Sequence, residues 1–463
     1  MPDLSGVRLL AVSVALLLAG CAGRPAAMAI VDVTVIDAIY GQRDHQSVVL
    51  DGERIVAVLG PEQRLPPVRE TIDGRGRYVI PGLWDFHVHL TYDERLTSAM
   101  PGLFLRWGVT SVRDTGGQLS RLEPLVRSLR ASDAAAPRVF FAGPLLDGPL
   151  VIYEGVEQKP LGVAVPDAAT ADATVAHLKS RGVDFIKIYE LVSPGVFAAL
   201  VAAARRHQLP IDSHVPLLML AREAGAQVDA MQHLRNIELD CAGNAPALLA
   251  ERKKRVRSNP GSLSGFALRG AVRAEQIDAA IRAFDRKRCD ETIQALTTTL
   301  QVPTLRLNAY GIAPPYGDAA WTDALAVLPE SVSREWNEYR QRILADPPQR
   351  DLTRARWSLK LTGEMFAAGV PFAAGTDTPI AFSVPGYSLH RELEFLVRAG
   401  LTPLQAIASA TLEPARFFGL EQSLGAIAPG FDADLLLLGA NPLNDIRQTR
   451  NLVEVFYRGK RFR

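Results

Sequence analysis

Residues 79–89 read Val79-Ile80-Pro81-Gly82-Leu83-Trp84-Asp85-Phe86-His87-Val88-His89. The apolar run predicts a buried strand, and it closes on two histidines one residue apart. Side chains alternate across a strand, so both rings project from the same face. Two imidazoles on one side of a strand end offer two nitrogen ligands to one metal ion. Taken alone, the pair also fits two surface rings at the end of a strand. The surrounding chain decides between the two.

On the N-terminal side, residues 29–80 predict short strands and turns. Residues 29–37 are β-branched and alternating, and Val48-Val49-Leu50, Asp51-Gly52 and Arg54-Ile55-Val56-Ala57-Val58 predict a hairpin. The C-terminal stretch has the same character, in Asp434-Leu435-Leu436-Leu437-Leu438 and residues 452–460. Both ends therefore predict one small β-sandwich domain, residues 28–80 plus 420–463. Between them, residues 81–419 alternate. Strands are expected before His87 and at residues 109–113, 138–142, 185–189, 210–214, 228–232, 300–304 and 371–375. Helical patterns lie between them, among them Val196 to Arg206 and Leu217 to Ala224, the second closed by Gly225. Eight strands in βα alternation predict an α/β fold of the (β/α)8 TIM-barrel type. Two long segments, about 234–297 and 305–357, interrupt it. Such segments serve either as lids and specificity walls or as peripheral packing helices.

Further polar residues fall at or near these strand ends, where barrel sites are built. Period two puts Phe185, Lys187 and Tyr189 on one strand face, and a lysine turned into a barrel is a buried charge in need of a partner. His214, His233 and Asp377 follow apolar strand patterns. Any one histidine is more simply a core or surface ring. Their order along the chain, together with Lys187 and Asp377, is not explained that way.

With these residues in place the chain resembles the metal-dependent amidohydrolase superfamily, and within it the imidazolonepropionase-like and Xaa-Pro-dipeptidase-like branch. The resemblance is carried by PGLWDFHVHL, WGVTSVRDTGG, PRVFFAGPLLDGP, DFIKIYE, SHVPL, AGAQVDAMQHL, AAGTDTP, LHRELEFLVRAGLTPLQAIASAT and PGFDADLLLLGANPLNDI. It departs at Met231-Gln232, where relatives commonly carry Ile-Glu. The resemblance implies a site for two divalent metal ions, usually zinc. His87, His89 and Asp377 would bind the more buried ion, and His214 and His233 the second. Lys187, carboxylated by carbon dioxide, would bridge them. A structural lysine paired with a carboxylate is the alternative. A shared water would have its pKa lowered from about 15.7 toward about 7, with Asp377 as general acid and base. Tyr189 would face the substrate or pack in the barrel. His390, with Glu392, is a further catalytic candidate or a polar residue at a helix start. The implied reaction is hydrolysis of an amide or peptide bond in a dipeptide or N-acyl amino acid. Ring opening of a cyclic amide or lactone, deamination, and a non-catalytic envelope lipoprotein are the rivals. Relatives that deaminate with one metal usually lack the lysine.

The bulk properties fit a small-molecule enzyme. The chain has 463 residues, 48% hydrophobic and 22% charged, with a formal net charge of +1. No global field points to nucleic acid or a membrane surface. The short basic run Arg252-Lys253-Lys254-Arg255 with Arg257 predicts a solvated helix face. Homo-oligomerisation is left open. At the N-terminus, Arg8 and the apolar residues 9–18 lead to Leu18-Ala19-Gly20-Cys21. The run is too short to span a bilayer and fits a signal peptide, residues 1–21. Its end resembles a bacterial lipobox, which implies export, lipidation of Cys21 and a membrane anchor at the cell envelope. Cleavage without lipidation is the alternative. Cys241 and Cys289 then remain, an even count for an oxidising compartment, as a disulfide pair or as two buried thiols.

Overall fold

A computed structural model describes residues 26–131, 136–156, 158–259, 262–347 and 351–462. The expected signal peptide, residues 1–21 with Cys21, lies outside the described residues. Among those described, no helix is long and apolar enough to cross a membrane.

The two ends of the chain interleave in one eight-stranded sheet. The expected hairpin is present, with Gly41–Asp51 antiparallel to Arg54–Leu59 and Asp51 opposite Arg54. Gly52 occupies the turn with φ +56°, a conformation that costs glycine little. From the other end of the chain, Leu435–Leu438 lies between Tyr78–Pro81 and Leu452–Tyr457 and is antiparallel to both. All four leucines are fully buried, so this strand reads as continuous apolar sequence.

The expected sandwich of two layers takes a different form. Met28–Asp37 is hydrogen-bonded to Gly41–Asp51 along one edge and to Thr71–Asp73 and Tyr78–Pro81 along the other. The ladder therefore runs through it without dividing into separate sheets. Its register shifts between Ile30 and Val35, where Asp32 has φ +57°. Such irregularities bend a strand. The sheet rolls until Ile55 N donates to Phe431 O and Ala433 N to Glu53 O. Val33, Val35, Leu50, Ile55, Leu437 and Phe456 pack inside the roll.

The middle of the chain forms two parallel sheets. One orders Leu83–Val88, Val109–Asp114 and Arg138–Phe141. The other orders Gly162–Ala164, Leu145–Asp147, Ile186–Ile188, Ile211–Ser213, Ala230–Gln232 and Leu300–Val302. Seven of the eight expected strands are here, and Leu145–Asp147 and Gly162–Ala164 are additional. The eighth, residues 371–375, is not a strand. It makes a bridge from Phe372 to Gln301, and Thr378 bridges to Val88. This stretch joins the edges of the two sheets, while on the far side Asp184 N donates to Phe141 O. No closed ladder forms among the described residues.

Helices cross between parallel strands, as that pairing requires. Pro194–Arg206 is representative. Ser193 Oγ caps Val196 N, proline opens the first turn, and Val196, Phe197, Leu200, Ala203 and Ala204 form the buried stripe. The helix expected at Leu217–Ala224 begins later, at Ala221–Gly225. Leu217 N is held by Glu190 O, Met219 N closes a turn onto Pro216 O, and Leu220 N is capped by Glu223.

Both interruptions are helical. The first holds Ile237–Asp240, Ala245–Ser258, Gly265–Arg282 and Arg286–Ala295. A Cys241–Cys289 disulfide ties the first of these to the last, with Cα atoms 4.1 Å apart. The basic run lies on Ala245–Ser258. Only part of it is a solvated face, because Arg252 is buried and donates to Gln276 and Asn236. The disulfide closes a sequence separation of 48 residues. Replacing both cysteines with alanine should lower the unfolding free energy by about 2–4 kcal/mol. Urea unfolding of the double variant measures this, and an unchanged midpoint would refute the stabilising role.

Candidate functional site

The parallel strands end around a small cavity. His87 and His89 do share a face, and each Nε2 lies 3.2 Å from Asp377 Oδ1. Asp377 occupies a tight turn with φ +61°. That turn is stitched to the histidine strand, since Asp377 N donates to His87 O at 2.8 Å and His89 N to Thr378 O at 2.8 Å. Thr376 N and Oγ1 donate to the buried Asp85 carboxylate at 2.9 and 2.6 Å. Gly375 is required by close approach, because a Cβ there would lie 2.9 Å from His87 N.

His214 follows Ile211–Ser213, and its N–H donates to Ile188 O. His233 follows Ala230–Gln232 with φ +62°, its N–H on Val302 O. The His214 and His233 ring centroids are 4.9 Å apart, and those of His87 and His233 are 4.6 Å apart. All of these residues and Lys187 line one cavity of about 30 Å³, room for water-sized groups.

Each ring is held by its Nδ1. His87 Nδ1–H donates to Gln232 Oε1 at 2.5 Å, His89 Nδ1–H to Gly116 O at 2.8 Å, and His214 Nδ1–H to Glu190 Oε1 at 2.8 Å. His233 Nδ1 is hydrogen-bonded to Thr304 Oγ1 at 2.7 Å. Where the ring is neutral, the proton on Nδ1 leaves Nε2 with its lone pair, the form in which imidazole binds a metal. Burial pushes His87 down to about 4 and holds His214 and His233 well below the ordinary range, so these rings stay neutral. Burial also acts downward on His89, but the bond to Asp377 outweighs it and the net shift is upward. Burial acts to raise Asp377, yet His233, His87 and His89 hold its carboxyl well below the usual range. The donor set is thus soft nitrogens around an anionic oxygen, which suits zinc or a similar divalent ion. His87, His233 and Asp377 have ligand atoms within 4.8 Å of one another.

Lys187 is buried and donates to Asp212 Oδ2 at 3.0 Å, the carboxylate pairing weighed for it as an alternative. Burial lowers its amine to about 8. Asp212 also accepts from Gln232 Nε2 at 2.7 Å and pairs with Arg113 at 3.4 Å. Gln232, noted only as a departure from the family pattern, therefore links Asp212 to His87. Sequence reasoning missed Gln232, Glu190 and Thr304 as holders of the rings. Period two does place Gln232 on the face of Ala230, and Glu190 follows Tyr189 directly. Thr304 gives no such signal.

Tyr189 lines the cavity with its ring 4.4 Å from His214, and its hydroxyl accepts from Arg269 Nη1 at 3.3 Å. Arg235, at the start of the segment 234–297, also lines it. His390 is not brought to the cavity. Its Nδ1 is bonded to Thr449 Oγ1 and its Nε2 to Trp107 O, which uses both ring nitrogens for packing against the C-terminal segment. Glu392 accepts from Leu305 N and Arg306 N and caps a short helix.

The amidohydrolase family model matches residues 359–462. Ochratoxinase from Aspergillus niger is 39% identical over 101 residues, 21% of this chain and 20% of that enzyme. The chain thus matches about a fifth of the length of that curated relative. An imidazolonepropionase from Symbiobacterium thermophilum is 25% identical over 395 residues, covering 83% of this chain and 81% of the relative. Among solved structures, a Xaa-Pro dipeptidase with methionine bound in its active site shares the fold. Its TM-score is 0.64 at 20% identity, over 94% of this chain and 99% of that one.

Gln232→Leu would leave a buried Asp212 oxygen and His87 Nδ1 without partners. The expected loss of stability is about 1–3 kcal/mol, read from chemical unfolding. A loss below about 0.5 kcal/mol would show that neither group depends on it.

Proposed function

We propose that this chain, a member of the amidohydrolase superfamily, hydrolyses a carbon–nitrogen bond of a small amide or peptide. A dipeptide or an N-acyl amino acid is the substrate class. The observation that carries the reading is the convergence of four histidines and Asp377 on one cavity, with every Nδ1 tethered outward.

The residues fit two divalent ions, of which zinc is the expected one. His87, His89 and Asp377 would hold one and His214 and His233 the other. Lys187 would bridge them as a carbamate. Its ammonium loses one proton, the free amine nitrogen adds to carbon dioxide, and the product loses a second proton, which turns a buried cation into an anion. When bound, the ions supply Lewis acidity for the substrate carbonyl and lower the pKa of water. The protein's own part is positional and protic. The Asp377 carboxylate takes the proton from the attacking water as its oxygen bonds to the carbonyl carbon. Asp377 returns that proton to the leaving nitrogen as the carbon–nitrogen bond breaks. Tyr189 lines the cavity with its hydroxyl held by Arg269.

A second reading, ring opening of a cyclic amide or lactone, is favoured by the similarity to imidazolonepropionase along 83% of the chain. We take the two parallel sheets as one interrupted barrel, residues 81–419, with residues 371–378 as its eighth stave. The sheet of both termini, 28–80 with 420–463, is the second domain. We place the protein in the cell envelope, exported and anchored through Cys21. The disulfide supports an oxidising compartment.

Screening zinc-loaded protein against dipeptides and N-acyl amino acids tests the reaction. Asp377→Asn should lower turnover by at least about 1,000-fold while most of the metal stays bound, and near-normal turnover would refute the proton-transfer role. Lys187→Ala should lose one ion or both, with partial rescue by small carboxylic acids. Unchanged metal content by elemental analysis would remove the bridging role.

A further inference from the structure

Asp212 links the two parallel sheets. It stands on Ile211–Ser213 and is fully buried. Its Oδ1 accepts from Gln232 Nε2 at 2.7 Å. Its Oδ2 meets two cations, Lys187 Nζ at 3.0 Å and Arg113 Nη2 at 3.4 Å. Lys187 comes from the neighbouring strand, whereas Arg113 reaches across from Val109–Asp114 in the other sheet. Asp377 lies against His87 and His89 and, among the described residues, forms no ion pair with either cation.

Arg113 is a costly residue in that place. It is fully buried, and a guanidinium stays protonated at any ordinary pH. Its Nε donates to Phe86 O at 2.9 Å, while its Nη1 has no hydrogen-bond partner. The guanidinium carbon lies 3.8 Å from the Phe86 ring centroid and 4.9 Å from that of Phe185. One cation neutralises Asp212, and Lys187 is the nearer of the two. While Lys187 is an ammonium, a second buried cation on the same carboxylate is a net cost.

Carboxylation of Lys187 changes that count. The ammonium loses a proton to water. The freed electron pair on Nζ bonds to the carbon of carbon dioxide, and a carbon–oxygen π pair moves onto oxygen. Nζ then releases a second proton to water. The product carries one negative charge and keeps one N–H where the ammonium had three. That N–H can stay on Asp212 Oδ2, but Lys187 no longer offsets the carboxylate. We infer that Arg113 is a positioning residue for the carboxylated form of Lys187, taking over as the counter-ion of Asp212. Asp212 then remains an anion that accepts the carbamate N–H and holds Gln232 against His87. The inference rests on the carbamate reading of Lys187 and gives the second buried cation its purpose.

Titrating the full chain, with zinc present, against isotope-labelled bicarbonate tests it. Carbon NMR reads the carbamate and elemental analysis reads the zinc. Arg113→Gln should raise the bicarbonate needed for half carboxylation at least about tenfold, and bound zinc should fall with it. Arg113→Lys keeps a cation and should retain most of the carbamate. Asp212→Asn removes the anion but leaves an amide oxygen for the N–H, so it should keep the carbamate. In that background Arg113→Gln should shift the midpoint by less than about twofold. The cycle separates charge from packing, because contacts with Phe86 and Phe185 are lost equally in both backgrounds. If Arg113→Gln alone does not fold, a folded double variant that matches Asp212→Asn gives the same support. A tenfold loss in both backgrounds, an unchanged midpoint in Arg113→Gln, loss of the carbamate in Asp212→Asn, or a double variant that does not fold overturns the inference alone. A parent chain with no carbamate signal removes the bridging role of Lys187 and this inference with it.

Discussion

A buried imidazole keeps a lone pair on a chosen nitrogen only if the other nitrogen has somewhere to put its proton. This constraint organises the centre of the molecule. Gln232, Gly116, Glu190 and Thr304 each take the Nδ1 side of one ring. They come from four different places in the chain, and each must be delivered by its own strand or turn. Gln232 can face His87 only because Asp212 anchors the other end of its amide, and Asp212 is itself held by Lys187 and Arg113. Asp377 is delivered by a turn whose backbone is bonded to the histidine strand on both sides. Displacing any of these supports would free a ring to rotate, so the geometry of the site is a property of the whole sheet.

Much of this was legible in the sequence because strand periodicity is a short-range rule. Two histidines separated by one residue must share a face, and they do. His214, His233 and Asp377 were legible as residues that follow apolar strand patterns. The pairings behind them were not. Whether Glu190 or Tyr189 meets His214 depends on how two strands stagger, and no local pattern encodes that. The same limit explains His390, which sits in an amphipathic helix whose buried face turns to Trp107 and Thr449. It also explains the fold-level differences. Residues 371–375 look like a strand by composition, but the backbone leaves the ladder to make the left-handed turn at Asp377. The terminal strands were each readable. Their joining into one rolled sheet follows from a register shift near Asp32, a feature of pairing.

The two long interruptions show a division of labour. The segment 234–297 reaches the histidine cavity through Arg235, and the contacts of Arg235 with Glu190 and of Arg269 with Tyr189 connect it to the residues around the rings. The segment 305–357 contributes no residue to that cavity but supports it from behind, since Asn308 Nδ2 donates to His233 O at 2.8 Å. Both interruptions are therefore tied to the histidines, one through Glu190 and the other through the His233 backbone.

The strand Leu435–Leu438 has a consequence for how the molecule is made. It pairs with Tyr78–Pro81, immediately ahead of the strand that carries His87. These two segments lie near opposite ends of the chain, and bringing them together incurs a loop-closure cost that local helices escape. The backbone beneath the first histidines thus lacks its neighbour until the C-terminal residues arrive. Assembly of the donor set is in effect a checkpoint on chain completion: a nascent or truncated copy retains its histidines but lacks the scaffold that fixes their positions.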